Sequence, residues 1–217
     1  MNIIKDNSGQ GLLELIVAIG VITVGLFSVW GLFISNFNAE REAGARIIAI
    51  NLAREGMEAV RNIRDSNWLH IEDNSDCVYN GTAFNPCKWD SGLPVGFSAP
   101  KNIFYGDVYL DSISGLEDFD AKLFIYHDTS LYYNHYNPDT DIPTAYRRII
   151  EIENICCFDY DFDLKCDDSS SANFSIKETD CSTDELKIGI DVKSKVQWTL
   201  EGKNRELTIY NQMFNWK

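Results

Sequence analysis

Apolar and polar positions divide the chain into three parts. From Leu15 to Ile34 about twenty consecutive positions carry no charged side chain, enough for a helix to cross a bilayer core. Thr23 and Ser28 do not spoil that span, because a helical hydroxyl can return to the backbone one turn earlier. From Asn36 to Ser66 the pattern turns amphipathic. Ala43, Ile47, Ile50, Met57, Val60 and Ile63 recur at spacings of three, four or seven, while Glu40, Arg41, Glu42, Arg46, Arg54, Glu55, Glu58, Arg61 and Arg64 fill other positions. No Gly or Pro stands in Asn36-Phe37-Asn38, the one candidate joint. One continuous helix from Gln10 to about Ser66 is therefore expected, roughly 85 Å long at 1.5 Å per residue.

After Trp68 the helical period ends. Residues 73–101 are rich in Asn, Asp, Ser, Gly and Pro and read as a long loop. Strand-like runs follow at Phe104–Leu110, Lys122–His127, Tyr146–Ile155, Leu186–Leu200 and Glu206–Phe214. Glu201-Gly202-Lys203-Asn204 separates the last two runs as a hairpin turn. The crossovers lack helical periodicity, which predicts an antiparallel sheet rather than βαβ units. The expected fold class is α+β, with the sheet wrapped on the upper half of the long helix.

Composition narrows the function. The 217 residues are 45% hydrophobic and carry a formal net charge of −14, so a packed core is affordable and a phosphate-binding surface is not expected. Lys and Arg form no basic stripe, and nucleic-acid binding is not predicted. No G-x-S-x-G, H-E-x-x-H or Gly-rich phosphate loop occurs, and His70, His127 and His135 have no ligand spacing. No enzymatic activity and no cofactor are predicted.

One acid does not fit a simple anchor. Glu14 stands at the mouth of the apolar run, where a charge in mid-membrane costs about 2.5–3.5 kcal/mol and asks for a partner. It sits in Ser8-Gly9-Gln10-Gly11-Leu12-Leu13-Glu14, which resembles the N-terminal signal of type IV prepilins and the related pseudopilins. The resemblance covers the first third of the chain. It implies that a prepilin peptidase on the cytoplasmic face cuts between Gly9 and Gln10 and methylates the new N-terminus on Gln10. It also implies that Glu14, the fifth mature residue, meets the amine of a neighbouring subunit and neutralises two charges at once. Gln10 replaces the usual aromatic residue or Met, Gly11 replaces a common Thr, Lys5 is the leader's one basic residue, and Gly31 lies where many pilins carry a bending proline.

The family plan gives a leader (1–9), a long helix (10–66) with its transmembrane half at 15–34, and a β-rich extracytoplasmic head (67–217). The expected function is a structural subunit, minor or specialised, of a type IV pilus or pseudopilus. Its partners would be other pilin subunits, the prepilin peptidase and the inner membrane before assembly. Its location would be single-pass in the inner membrane, then an extracellular or periplasmic filament. The rival reading is an uncleaved, signal-anchored extracytoplasmic domain for binding or adhesion.

All six cysteines lie C-terminal to the apolar run, which reads as disulfides formed in an oxidising compartment. The favoured bridges are Cys77–Cys87, around the Asn80-Gly81 turn, and Cys166–Cys181, closing an Asp/Ser-rich loop. The adjacent Cys156 and Cys157 are either bridged to each other or left as buried thiols. Asp159-Tyr160-Asp161-Phe162-Asp163 lacks the glycine and the distal acid of an EF-hand. Solvent-facing acids on an edge strand are the leading reading there, and an irregular calcium site on Asp159, Asp161 and Asp163 is the secondary one. The aromatic cluster Leu131–Tyr136 reads as a hairpin packing on the sheet ahead of an adhesive contact. Asn80-Gly81-Thr82 and Asn173-Phe174-Ser175 match the glycosylation triplet.

Overall fold

The computed structural model describes residues 8–79, 81–101, 108–125, 133–134, 142–158 and 174–215, with the backbone alone at 8–10 and 133–134. The chain divides into two compact units, Met1–Arg46 and Ile47–Lys217. A single helix, α1, runs from Ser8 to Glu72, and the joint considered at Asn36-Phe37-Asn38 is helical throughout.

Helix α1 extends six residues past the expected end at Ser66. Tertiary contacts supply the reason, since the extra turn turns Asn67 and Trp68 inward. Asn67 Nδ2 donates to the carbonyls of Trp89 and Ser91 at 3.0 and 2.8 Å. The helix then stops on a left-handed residue, Asn74 at φ 56°. Ser75 N–H reaches back to the His70 carbonyl and Asn74 N–H to that of Ile71, satisfying carbonyls that a helix end leaves open.

Among the described residues ten strands follow: β1 (Cys77–Tyr79), β2 (Thr82–Phe84), β3 (Gly96–Lys101), β4 (Tyr109–Ser112), β5 (Lys122–Ile125), β6 (Tyr133–Asn134), β7 (Ile142–Cys157), β8 (Phe174–Lys177), β9 (Leu186–Leu200) and β10 (Lys203–Phe214). Strands β1 and β2 form a separate hairpin. Every pairing in the large sheet is antiparallel, and its main path is β10-β9-β7-β3-β4. The 16-residue β7 is the axis. One of its edges pairs with β9 along nearly its whole length. Its other edge is shared by three short strands, β5, β3 and β8. The β9–β10 hairpin closes on Glu201 and Gly202, both at positive φ, the two-residue turn whose twist matches the flanking strands. The region expected as a loop, 73–101, contains β1, β2 and β3.

Within the larger unit α1 packs on the sheet through Ala49, Leu52, Ala53, Gly56, Met57, Val60 and Ile63. The expected stripe is corrected at its start: Ala43 is exposed and Ile47 is 60% exposed. The buried face is set by small side chains that let backbone meet sheet. A Cβ on Gly56 would lie 2.7 Å from Ser194 Oγ and 3.2 Å from Arg148 Cδ. Met57, Val60, Ile63, Ile150, Ile152, Ile190, Val192 and Met213 form the centre of the core.

Disulfides staple this unit. Cys77–Cys87 forms as expected. Cys181 bonds Cys156 rather than Cys166, so the adjacent pair is neither vicinally bridged nor left as thiols; Cys157 is disulfide-bonded as well. The pairing follows from β8, which lies against β7 at Cys156 and Cys157. Asn154 Nδ2 then binds the Thr179 carbonyl at 3.1 Å, bringing Cys181 back beside Cys156. Cys166 lies outside the described residues.

Candidate functional site

The expected site residues Gly9 and Gln10 fall in the first turns of α1, and Glu14 follows one turn later. Gln10 and Glu14 are four apart, so their positions share one helix face. From Gly11 to Arg41 every residue of this helix is exposed, including Leu12, Ile16, Ile19, Leu26 and Phe27, the last at 78%. Among the described residues α1 is the one helix long and apolar enough to cross a membrane. Water offers such a surface nothing; lipid or other apolar helices would cover it.

Local detail suits a nonpolar surrounding. Thr23 Oγ1 donates within the helix to the Ile19 and Gly20 carbonyls, each at 2.9 Å, and Ser28 Oγ to the Val24 carbonyl at 2.9 Å. No hydroxyl in the span is left to seek water. Trp30, Phe33 and Phe37 form an aromatic run at the C-terminal end of the span, with Phe33 and Phe37 edge to face at 4.4 Å between centroids. Of these Trp30 carries the amphipathic ring that favours the membrane–water boundary. Glu14 remains the sole acid between Gly11 and Asn38.

The other candidates separate. Asp159, Asp161 and Asp163 lie outside the described residues, as do His127, His135, Asn80 and Asn173. Of the aromatic cluster the backbone of Tyr133 lies in β6. His70 is engaged by the Ser75 hydroxyl at 2.8 Å. Among the described residues the carboxylates of Glu151, Glu153 and Glu178 lie close enough together to hold a cation. A protein cation already sits there: Lys193 Nζ is 2.6 Å from Glu153 and 3.8 Å from Glu151. Burial pulls the Lys193 ammonium down, but the Glu153 hydrogen bond and the charges of Glu151, Glu153 and Asp191 outweigh it and hold it above its ordinary value.

Two features of the head were missed by sequence reasoning. Arg148 is fully buried. Its Nη1 donates to the Leu52 carbonyl at 2.9 Å and lies 3.3 Å from Glu55 Oε1. Burial pulls its guanidinium below the ordinary range while Glu55 opposes the shift. The signal was present: Arg147 and Arg148 are adjacent in an alternating strand, so one of them must face inward. The second feature is a cleft of about 510 Å³ beside β4, bordered by Tyr79, Phe84 and Leu93. No periodicity marks it, because its walls come from three separate stretches of chain.

No family model matches the chain, and neither a curated protein nor a solved structure matches it.

Proposed function

We propose that the chain is a type IV pilin-like subunit, minor or specialised, of a pilus or pseudopilus. It is cut after Gly9, methylated on Gln10 and assembled through the first half of α1. The observation that carries this reading is the Gly9–Glu14 spacing at the head of an exposed apolar helix that runs without a break into the helix of a disulfide-bonded α+β unit. An anchor alone gives no reason for Glu14, whose charge costs free energy in lipid. Cleavage supplies one. The new amine of Gln10 and the Glu14 carboxylate of a neighbouring subunit would neutralise each other in a stack of identical helices.

In this mechanism the head stays outside the inner membrane, where its cysteines oxidise. The membrane stores the processed subunit until helix packing replaces lipid contacts. The partners are other pilin subunits and the prepilin peptidase. The competing anchored binding domain needs neither the glycine nor the acid.

Filament incorporation tests assembly. Epitope-tagged wild-type and Glu14→Ala chains are expressed in the native cell with the other subunits present, and sheared surface or periplasmic filaments are collected. The wild type should appear in the filament fraction, with Glu14→Ala reduced at least tenfold at equal membrane levels. Equal incorporation of the two would overturn the role given to the carboxylate.

A further inference from the structure

We infer that the face of the sheet turned away from α1 binds one calcium ion through Glu151, Glu153 and Glu178, in competition with Lys193. The site belongs to the larger unit alone and stands independently of how the N-terminal helix is processed.

Register puts the acids together. Partners across an antiparallel pair share one face of the sheet, and successive residues alternate between faces. Glu151↔Lys193 and Glu153↔Asp191 are such partners, while Ile150, Ile152 and Val192 take the opposite face and enter the core. On the other edge of β7, Asn154 pairs with Lys177 of β8. One step further along that ladder, Glu178 stands beside Glu153. Asp191, Glu153 and Glu178 therefore lie abreast in one cross-strand row, with Lys193 and Glu151 in the next. Carboxylate oxygens of Glu151, Glu153 and Glu178 all lie within 4.8 Å of one another. Two calcium–oxygen bonds of roughly 2.4 Å span that distance.

An acidic row alone is no site; Asp191 supplies the independent sign. It is 7% exposed, and among the described residues its carboxylate accepts no hydrogen bond and joins no ion pair. Its charge acts on Lys193, so it faces the cluster. Yet Lys193 Nζ sits 2.6 Å from Glu153 and 3.8 Å from Glu151. A carboxylate withdrawn from water without a partner is costly, and like charges directly opposite destabilise a sheet. The next cation on this face, Lys195, is directed to Glu206. One ammonium thus serves four carboxylates, Glu151, Glu153, Glu178 and Asp191. A divalent cation on the three glutamates releases the ammonium to Asp191 and compensates the rest.

The donors select the ion. Among the described residues no histidine or free thiolate joins the cluster, which disfavours zinc. Magnesium keeps most of its water and uses one or two carboxylates, whereas calcium accepts several in irregular geometry. Glu178 is exposed, leaving room for water ligands. The stretch that carries it is already fixed. Asn154 Nδ2 holds the Thr179 carbonyl at 3.1 Å, and Cys181 is bonded to Cys156. A cradle ordered in advance loses little entropy on binding. The bound ion ties the end of β8 to the centre of the sheet.

The test titrates CaCl2 by calorimetry into the full chain, held in detergent micelles and stripped of metal, at about 0.15 M KCl. One ion should bind with a Kd at or below about 1 mM. Glu178→Gln should not lower the urea midpoint of the metal-free chain but should weaken calcium binding about tenfold. Glu117→Gln, at an exposed acid outside the cluster, should leave the Kd unchanged. Lys193→Gln removes the competing cation and should tighten binding about tenfold. That variant should also lose urea resistance without calcium and regain it when calcium is added. No binding at about 10 mM calcium, or equal affinities of the wild type and Glu178→Gln, would overturn the site. Weaker binding by Lys193→Gln would overturn the competition. Binding lost in Asp161→Asn but unchanged in Glu178→Gln would place the ion elsewhere and overturn the assignment.

Discussion

Two carboxylates on one helix, Glu14 and Glu55, show how differently the two stretches of α1 are completed. Glu55 lies beside the guanidinium of Arg148, itself roofed by the Leu52 carbonyl. Glu14 stands among exposed apolar side chains. Around Glu55 small residues, Ala49, Ala53 and Gly56, admit the sheet. Around Glu14 the glycines Gly11, Gly20, Gly25 and Gly31 meet nothing within 4 Å. The same helix thus carries one acid whose partner comes from its own fold and one whose partner, on our proposal, comes from another subunit. Burial satisfied internally specifies a domain; a surface left unsatisfied specifies an assembly.

Breaking the internal pair should have the largest effect. Arg148→Ala leaves Glu55 without its cation and opens a cavity, and should destabilise the head by about 3–5 kcal/mol in urea unfolding followed by tryptophan fluorescence. The double substitution Glu55→Leu with Arg148→Met should be no less stable than the wild type, because apolar packing replaces ion pairing without a desolvation cost. Replacing Cys156 and Cys181 by Ala should cost about 3 kcal/mol in the same measurement. Gly56→Val should cost about 1–3 kcal/mol through overpacking against Ser194 and Arg148. Gly31→Ala, with open space around it, should leave the unfolding midpoint of the head unchanged. A shift with Gly31→Ala would mean that the two stretches are not energetically separate.

A smaller effect is pH-dependent. Burial raises the Tyr79 hydroxyl to about 12, and the group donates to Asn67 Oδ1 at 2.7 Å. Its folded value exceeds the unfolded one of about 10. The native state therefore holds the proton longer, and this contribution is complete below pH 10 and lost as pH rises toward 12. Urea midpoints at pH 9 and 11 should fall more for the wild type than for Tyr79→Phe. Smallest of all, Glu14→Ala should not move the urea midpoint of the head at any pH.

Much of this architecture was legible where a single period governs burial. The run Leu186–Leu200 coincides with β9, and the turn at Glu201-Gly202 and the α1 continuation past Asn38 are where pattern places them. The reading failed where distant contacts decide. Asn67 and Trp68 extend the helix because Trp89 and Ser91 receive Asn67, and nothing local announces that. Ile47 has the right spacing for the core but lies off the face chosen by Ala49, Ala53 and Gly56. Cysteine spacing suggested Cys166–Cys181, whereas the pairing of β8 with β7 brings Cys181 to Cys156. Arg148 was hidden for a related reason: its partner Glu55 lies 93 positions earlier on another element.

The central claim concerns the peptide bond after Gly9. Intact-mass and N-terminal analysis of the chain purified from its native membrane should show a mature protein beginning at Gln10 and carrying one added methyl group. A chain still beginning at Met1, from cells whose prepilin peptidase processes other substrates, would contradict the account.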